Sequence, residues 1–248
     1  MIIFEIIKNQ LIRIPWIKRI QKKDHCTGPV SEETNEMIFN LYGKFINFTG
    51  KVVLEIGPGK NSAIAKKICT QNPEIIYLLD IENYISPENL DNEKVIKYII
   101  YDGAHFPMEQ NSIDVIISHT VYEHVREPNK VIHETYRVLK PGGVIIHLID
   151  LGDHLSYGNH ERKLFNCLRY RNWMWHLMSC NRSIYVNRLR VSDWVNLHTV
   201  SGFKIFCLET KESELIKELY LKGQLGFLDK FENSDRFVYS LLLCAQKL

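Results

Sequence analysis

In this 248-residue sequence, a carboxylate two residues ahead of a glycine turn is the first place where chemistry concentrates. Glu55, Gly57 and Gly59 stand in the run Lys51-Val52-Val53-Leu54-Glu55-Ile56-Gly57-Pro58-Gly59-Lys60-Asn61. Val52 to Ile56 reads as a buried strand, and glycines 57 and 59 let the backbone turn and approach a ligand closely. The stretch from Ser62 to Cys69 reads as a helix. The turn therefore aims backbone N–H groups into a crevice at the strand's carboxyl end. A carboxylate at position 55 repels a pyrophosphate and attracts a cation. The cofactor this selects is cationic, and the sulfonium and α-amino group of S-adenosylmethionine carry that charge.

Two glycine patterns compete for the turn. A dinucleotide fingerprint requires a third glycine at 62, where the sequence has Ser62. The pattern E-x-G-x-G-x-G requires one at 61, where it has Asn61. Asn tolerates left-handed backbone better than other non-glycine residues, so Asn61 is the milder departure.

Further acids recur where successive strands end. Ile75 to Asp80 is a second apolar run, and Asp80 lies 80 − 57 = 23 positions after the first glycine, suited to ribose hydroxyls. Val95 to Tyr101 is a third, closed by Asp102-Gly103-Ala104, where an acid can accept the adenine amino group. Ile113 to Ser118 is a fourth and leads into His119-Thr120-Val121-Tyr122-Glu123-His124. Apolar or aromatic pairs over Pro128 to Lys140 have a helical period with Pro near the start. Pro141-Gly142-Gly143 ends that helix, and Val144 to Ile149 is the fifth strand. Open α/β sheets bind ligands at such strand ends.

These residues position one another in a recognisable order. Residues 51–150 resemble the class I S-adenosylmethionine-dependent methyltransferases, in particular the type 11 group. The resemblance rests on LEIGPG, the LLD strand end, YDGAHFPMEQNSIDVIISHTVYEHV and YRVLKPGG. It implies an α/β fold, a Rossmann-like seven-stranded sheet with helices on both faces. It also implies an N-terminal helical segment and a helical lid inserted after strand five. Glu55, Gly57 and Gly59 are then expected at the methionine part of the cofactor and Asp80 at the ribose, with Asn61 and Ile81 as further cofactor-binding residues. Asp102 and Gly103 are expected near the adenine, and Ser118 with His119 beside the reacting centre.

The rest of the chain is read around that core as one methyltransferase domain. Residues 1–50 form a leading helical segment with a helix from Ser31, a plausible cap, to Phe48. By position in the family, Thr27 and Gly28 line the cofactor's edge. Residues 151–191 form the lid, rich in aromatics, with Tyr157, Phe165, Trp173 and Trp175 among them; most read as core of a helical hairpin. Residues 192–248 supply a helix over Ser192 to Ser201, strand six over Phe203 to Glu209 and a last strand over Arg236 to Ala245. Family topology makes that last strand antiparallel, between strands five and six.

Composition narrows the partners. A net charge of +2 is too small for nucleic-acid binding, and no basic cluster is interleaved with aromatics. The six cysteines show no metal-ligand or redox spacing and read as reduced thiols of a cytoplasmic protein. Residues 1–23 carry six basic residues against Glu5, with Ile3, Ile7, Leu11, Ile14 and Ile17 at helical spacing and Pro15 interrupting. The simpler reading is a helix packed on its own domain or on a second subunit; the other is interfacial attachment to a membrane. No uncharged run suits a transmembrane helix and no cleavage site suggests a signal peptide. The apolar segment and final strands point to a homodimer.

Methyl transfer is an in-line displacement in which positioning supplies much of the rate. An alcohol acceptor also needs a base near the methyl group. His119, His154, Asp153 and His124 are the candidates, the first two foremost, although with ten histidines in the chain each alone is more simply structural. Some relatives bind Mg²⁺ through E-x-x-E-H; Thr120-Val121-Tyr122-Glu123-His124 lacks the first acid, and no metal ligand is assigned. The leading expectation is O-methylation of a small polar acceptor: a sugar, nucleotide-sugar or phosphate-type group of surface-glycan biosynthesis. Arg188, Arg190 and a loose similarity of DLGDH…NRLRVSDW to polysaccharide-pathway methyltransferases motivate it. The alternatives are N- or C-methylation of another metabolite, and a non-catalytic partner subunit.

Overall fold

Apolar runs bounded by glycine, proline and acids become strands, and amphipathic runs between them become helices. The computed structural model describes residues 2–17, 30–60, 62–85, 90, 94–154, 163–182 and 185–248. Asn61, the Cys26-to-Pro29 segment, Tyr157, and Lys18, Arg19, Lys22 and Lys23 lie outside the described residues. The chain divides into two compact units. A sheet unit comprises Thr27–Ile149, Val195–Glu209 and Leu242–Leu248; a helical unit comprises Met1–Cys26, Asp150–Trp194 and Thr210–Leu241.

Seven strands are hydrogen-bonded in the order β3-β2-β1-β4-β5-β7-β6. They are β1 (Val52–Ile56), β2 (Ile75–Asp80), β3 (Ile96–Ile100), β4 (Ile113–His119), β5 (Leu139–Asp150), β6 (Phe203–Glu212) and β7 (Val238–Lys247). β1 pairs in parallel with β2 and β4, β2 with β3, and β4 with β5. β7 enters between β5 and β6 as the resemblance implies. Its end, at Gln246 and Lys247, bonds the carbonyls of Gly142 and Leu139 near the start of β5. Its start, at Tyr239, accepts from Leu151 just past β5's end, so the two strands run antiparallel.

Both faces of the central strands are buried: Val53 and Leu54, adjacent and pointing oppositely, are both fully covered. On one face Val53, Ile76, Leu78, Val115, Ile117 and Ile146 pack with α2 (Glu32–Gly43) and α3 (Ala63–Cys69) through Ile38, Tyr42, Ile64 and Ile68. Ser31 caps α2 by accepting from the Thr34 N–H at 3.1 Å. The helix stops at Gly43, short of the expected Phe48, because Phe48 turns in to join the core. α4 (Pro128–Val138) has its expected proline at the first turn. The strand after it begins at Leu139 rather than Val144: Pro141-Gly142-Gly143 makes an irregularity inside β5, with Ile113 opposite Leu139 but Val115 opposite Val144.

The helical unit has its own core of Phe165, Cys167, Leu168, Trp175, Val186, Ile216 and Leu228. It contains α1 (Ile2–Leu11), α5 (Asn172–Ser179) and α7 (Glu214–Leu221); α6 (Val191–Val200) lies between α5 and α7 in sequence. The aromatic-rich stretch thus puts Phe165 and Trp175 in a core, while Trp173 is exposed. α7, a helix that the sequence reading of 192–248 does not include, is capped by Ser213 accepting from Ile216 N–H.

Arg190 is the keystone of this unit. Its side chain is buried and donates to the carbonyls of Leu151 at 3.0 Å, Asp235 at 2.8 Å and Val238, with Phe165 and Phe231 rings against the guanidinium. Burial lowers its pKa to about 10, so it stays charged at neutral pH. Arg188 bonds the carbonyls of Cys167 and Tyr170 and the Asn172 side chain. The expectation that these arginines recognise an acceptor loses its support: both are engaged with backbone carbonyls of the helical unit. Replacing Arg190 with Met removes its hydrogen bonds to three carbonyls from a buried position. We expect a loss of about 3 kcal/mol or more in urea unfolding; a loss below about 1 kcal/mol would contradict this role.

Candidate cofactor site

The sheet unit brings the carboxyl ends of β1, β2 and β4 side by side, and that adjacency builds the site. Glu55 is opposite Leu78 and Ile117, and Ile56 is opposite Ser118. After β1 the chain turns through Gly57 (φ +68°) and Gly59 (φ +66°), the left-handed region where only glycine is unstrained. Gly57 has a second reason to lack a side chain: a Cβ there would meet Val121 Cγ2 at 2.5 Å. The Gly57 N–H bonds Leu79 O at 2.8 Å, tying the turn to β2.

Two acids face this turn. Asp80 is buried and accepts from the Gly59 N–H at 3.2 Å and the Ile81 N–H at 2.7 Å. Burial raises its pKa, and those N–H groups oppose the shift. Glu55 is more extreme. Burial, then repulsion from Asp80, pushes its pKa to about 8, and its Oε2 is buried without a hydrogen-bond partner among the described residues. A buried carboxylate with an orphaned oxygen beside a second acid calls for a cationic hydrogen-bond donor. S-adenosylmethionine fits, since it carries an ammonium for Glu55 and ribose hydroxyls for Asp80.

Asp102 is exposed and shapes its own loop. One oxygen accepts from the Ala104 and His105 N–H groups at 2.8 and 2.7 Å, and the other lies 2.8 Å from His105 Nδ1. The His105 ring first, then those N–H groups, hold its pKa well below the usual carboxylate range. A carboxylate has about four lone-pair positions, so one is left for a ligand donor. Gly103 (φ +86°) turns the loop towards the Ile81 side chain, 3.4 Å from where a Cβ would lie. Arg137 secures the loop by bonding Phe106 O, Met108 O and Glu134, whose carboxylate accepts from Phe106 N–H.

At the end of β4, Ser118 is fully buried with its hydroxyl 2.8 Å from His147 Nδ1, the residue opposite it on β5. Burial, then His198, lowers the His147 pKa well below its ordinary value, so the ring is neutral. It rests on Tyr122 with centroids 4.1 Å apart. His119 is half-buried, its Nδ1 3.4 Å from Thr120 Oγ1, and Thr120 itself has φ +52°. Glu123 and His124 follow on a short 3₁₀ turn, with His124 Nε2 3.9 Å from a Glu123 oxygen.

The four candidate bases divide between the units: His119 and His124 in the sheet unit, Asp153 and His154 in the helical unit. Asp153 and His154 are both buried. The Asp153 N–H bonds Leu164 O at 2.7 Å, and His154 Nε2 lies 3.2 Å from Asp150 Oδ2. Sequence reasoning missed His147 and His198. The one sequence signal for His147 is that it is the single polar residue in Val144–Ile149; its pairing with Ser118 comes from the β4–β5 register.

The fold is an α/β sheet with two buried acids at a glycine turn, a setting suited to a cationic nucleoside. Residues 54–147 match the family model described as "Methyltransferase domain". The chain is 28% identical over 124 residues to phosphoethanolamine N-methyltransferase 2 of Caenorhabditis elegans, a match covering 48% of this chain and 28% of that protein. It is 26% identical over 98 residues to malonyl-[acyl-carrier protein] O-methyltransferase of Marinomonas sp., covering 38% and 36%. Phosphoethanolamine N-methyltransferase 2 of Haemonchus contortus, solved with phosphomonomethylethanolamine and S-adenosylhomocysteine, shares the fold. Its TM-score is 0.60 at 18% identity, over 89% of this chain and 53% of that one. The chain therefore spans only about a third of the two curated relatives and half of the solved one. The matched segment, residues 54–147, is similar to the class I S-adenosylmethionine-dependent methyltransferases of the type 11 group, and S-adenosylmethionine is the cofactor that this similarity supports.

Glu55 also makes a stability signature. Its folded pKa of about 8 lies above the ordinary 4.5, so its contribution to folding is full below pH 4.5 and is lost as pH rises through 8. The ligand-free protein should lose melting temperature between pH 6 and 8.5, and Glu55→Gln should flatten that decline. Parallel profiles for the two proteins would show that Glu55 is not the group responsible.

Proposed function

We propose that the chain is a methyltransferase that transfers a methyl group from S-adenosylmethionine to an oxygen of a small polar acceptor. The observation that carries the cofactor half is the orphaned, buried Glu55 carboxylate beside Asp80 at the glycine turn. When bound, the cofactor supplies a methyl carbon already activated by its sulfonium.

In this reading Glu55 holds the cofactor's amino-acid part and Asp80 its ribose, with the Ile81 and Asp102–Gly103 segments flanking the adenine. Gly57 and Gly59 admit the ligand by leaving no Cβ in the turn, and Ser118, pinned to His147, keeps the β4 end rigid. A base then takes the acceptor's proton as the new bond forms. His119 or His154 has that role. The Asp150 carboxylate, with Oδ2 3.2 Å from His154 Nε2, orients that ring.

The acceptor class is a sugar, nucleotide-sugar or phosphate-type compound of surface-glycan biosynthesis. It rests on the similarity of DLGDH…NRLRVSDW to polysaccharide-pathway methyltransferases; the arginines no longer support it. The free thiols of Cys69, Cys167, Cys180, Cys207 and Cys244 agree with a cytoplasmic location. A second reading, N-methylation of a small amine, is favoured by the two phosphoethanolamine N-methyltransferases among the similar proteins.

Glu55→Ala and Asp80→Ala should each weaken S-adenosylhomocysteine binding at least tenfold, about 1.4 kcal/mol. Unchanged affinity in both would remove the site assignment. His119→Ala and His154→Ala should leave that affinity intact, while one of them lowers turnover of a hydroxyl acceptor by about a hundredfold. An acceptor screen in which only amines are methylated, with both variants fully active, would select the second reading.

A further inference from the structure

α1 is amphipathic in the wrong sense for a surface helix. Its polar residues face its own unit: Asn9 is completely buried and donates to Leu177 O at 2.8 Å, while its Oδ1 accepts from the Asn181 N–H at 2.9 Å. Glu5 Oε2 pairs with Arg182 Nη1 at 2.7 Å. Four of its apolar residues are exposed. Ile3 is 73% exposed and Phe4 64%, and Ile7 and Leu11 continue the same face. Ile14 and Trp16 extend it past the helix end, and Trp173 and Leu177 of α5 are exposed in the same unit. The anchor is polar and specific, so this outward apolar face is fixed by the fold rather than left by chance. Exposed apolar groups clustered in this way mark an interaction surface.

Charge identifies what covers it. Residues 2–17 and 163–182 contain Lys8, Arg13, Lys163, Arg169, Arg171 and Arg182 against one acid, Glu5, which Arg182 neutralises. Lys8, Arg13 and Arg171 are exposed in α1, just after it and just before α5. A protein partner would need a mostly apolar, acid-rimmed patch. An anionic lipid surface offers both features everywhere: acyl chains for Ile3, Phe4, Ile7 and Leu11, a headgroup layer suited to tryptophan, and negative charge for the rim. We propose that the helical unit docks α1 in the plane of an anionic membrane, its apolar face in the lipid and Lys8, Arg13 and Arg171 at the headgroups. Among the described residues no helix is long and apolar enough to cross a membrane, which agrees with α1 lying on the surface.

The test is co-sedimentation of the full chain with vesicles of phosphatidylcholine alone or with about a third phosphatidylglycerol, at low and high salt. We expect binding to the anionic vesicles at least tenfold tighter than to the neutral ones, weakening with salt. Phe4→Glu/Ile7→Glu changes only exposed positions and should abolish binding while leaving S-adenosylhomocysteine affinity and melting temperature unchanged. Lys8→Glu/Arg13→Glu keeps the apolar face and should remove the anionic preference. Absence of vesicle binding by the unaltered protein overturns the proposal, as does binding that Phe4→Glu/Ile7→Glu leaves intact. A dimer in solution that this double change splits, with no vesicle binding, assigns the face to a second copy and overturns it too.

Discussion

Everything at the candidate site depends on a carboxyl group held where water does not reach. β1 lies between β2 and β4, so the Glu55 side chain leaves a fully hydrogen-bonded strand inside a covered sheet. Ionising such a group without a partner costs several kcal/mol. Burial, with Asp80 adding repulsion, therefore puts its pKa at about 8 rather than 4.5. The flanking features follow from that constraint. The two left-handed glycines bring backbone past the acid, Val121 fills the space beside Gly57, and Asp80 commits its oxygens to the turn's own N–H groups.

The two units stabilise themselves by different means. In the sheet unit, parallel pairing and apolar burial fix the strand ends, and a few local locks fix the loops: Arg137 on the Asp102 loop and Ser118 on His147. The helical unit is richer in loops, whose carbonyls have no ladder to join. Arginine serves there because its planar fork reaches several carbonyls at once while ring faces cover the cation. The same chemistry misleads a reader of the sequence, since an arginine that satisfies backbone looks the same in one dimension as one that greets a substrate.

Legibility tracked periodicity. β1 and β2 fall where the apolar runs place them, and the β7 insertion follows from the resemblance. The boundaries that moved did so for tertiary reasons: Phe48 left its helix for the core, and Pro141-Gly142-Gly143 became a bulge because β4 offers a partner to Leu139. Glu55 and Asp80 stood out in the sequence because an acid within or closing an apolar strand is costly to bury unless donors meet it there. The Ser118–His147 pair did not, because only the β4–β5 register brings it together. Nor did the inverted face of α1, since periodicity shows that a stripe exists and not which way it points.

The central claim is that Glu55 and Asp80 make a site for a cationic nucleoside rather than for a dinucleotide. Calorimetric titration of the purified protein with S-adenosylhomocysteine, and separately with NAD, tests it most directly. The account expects micromolar affinity for the first and none for the second. Binding of NAD, or of neither ligand, would contradict it.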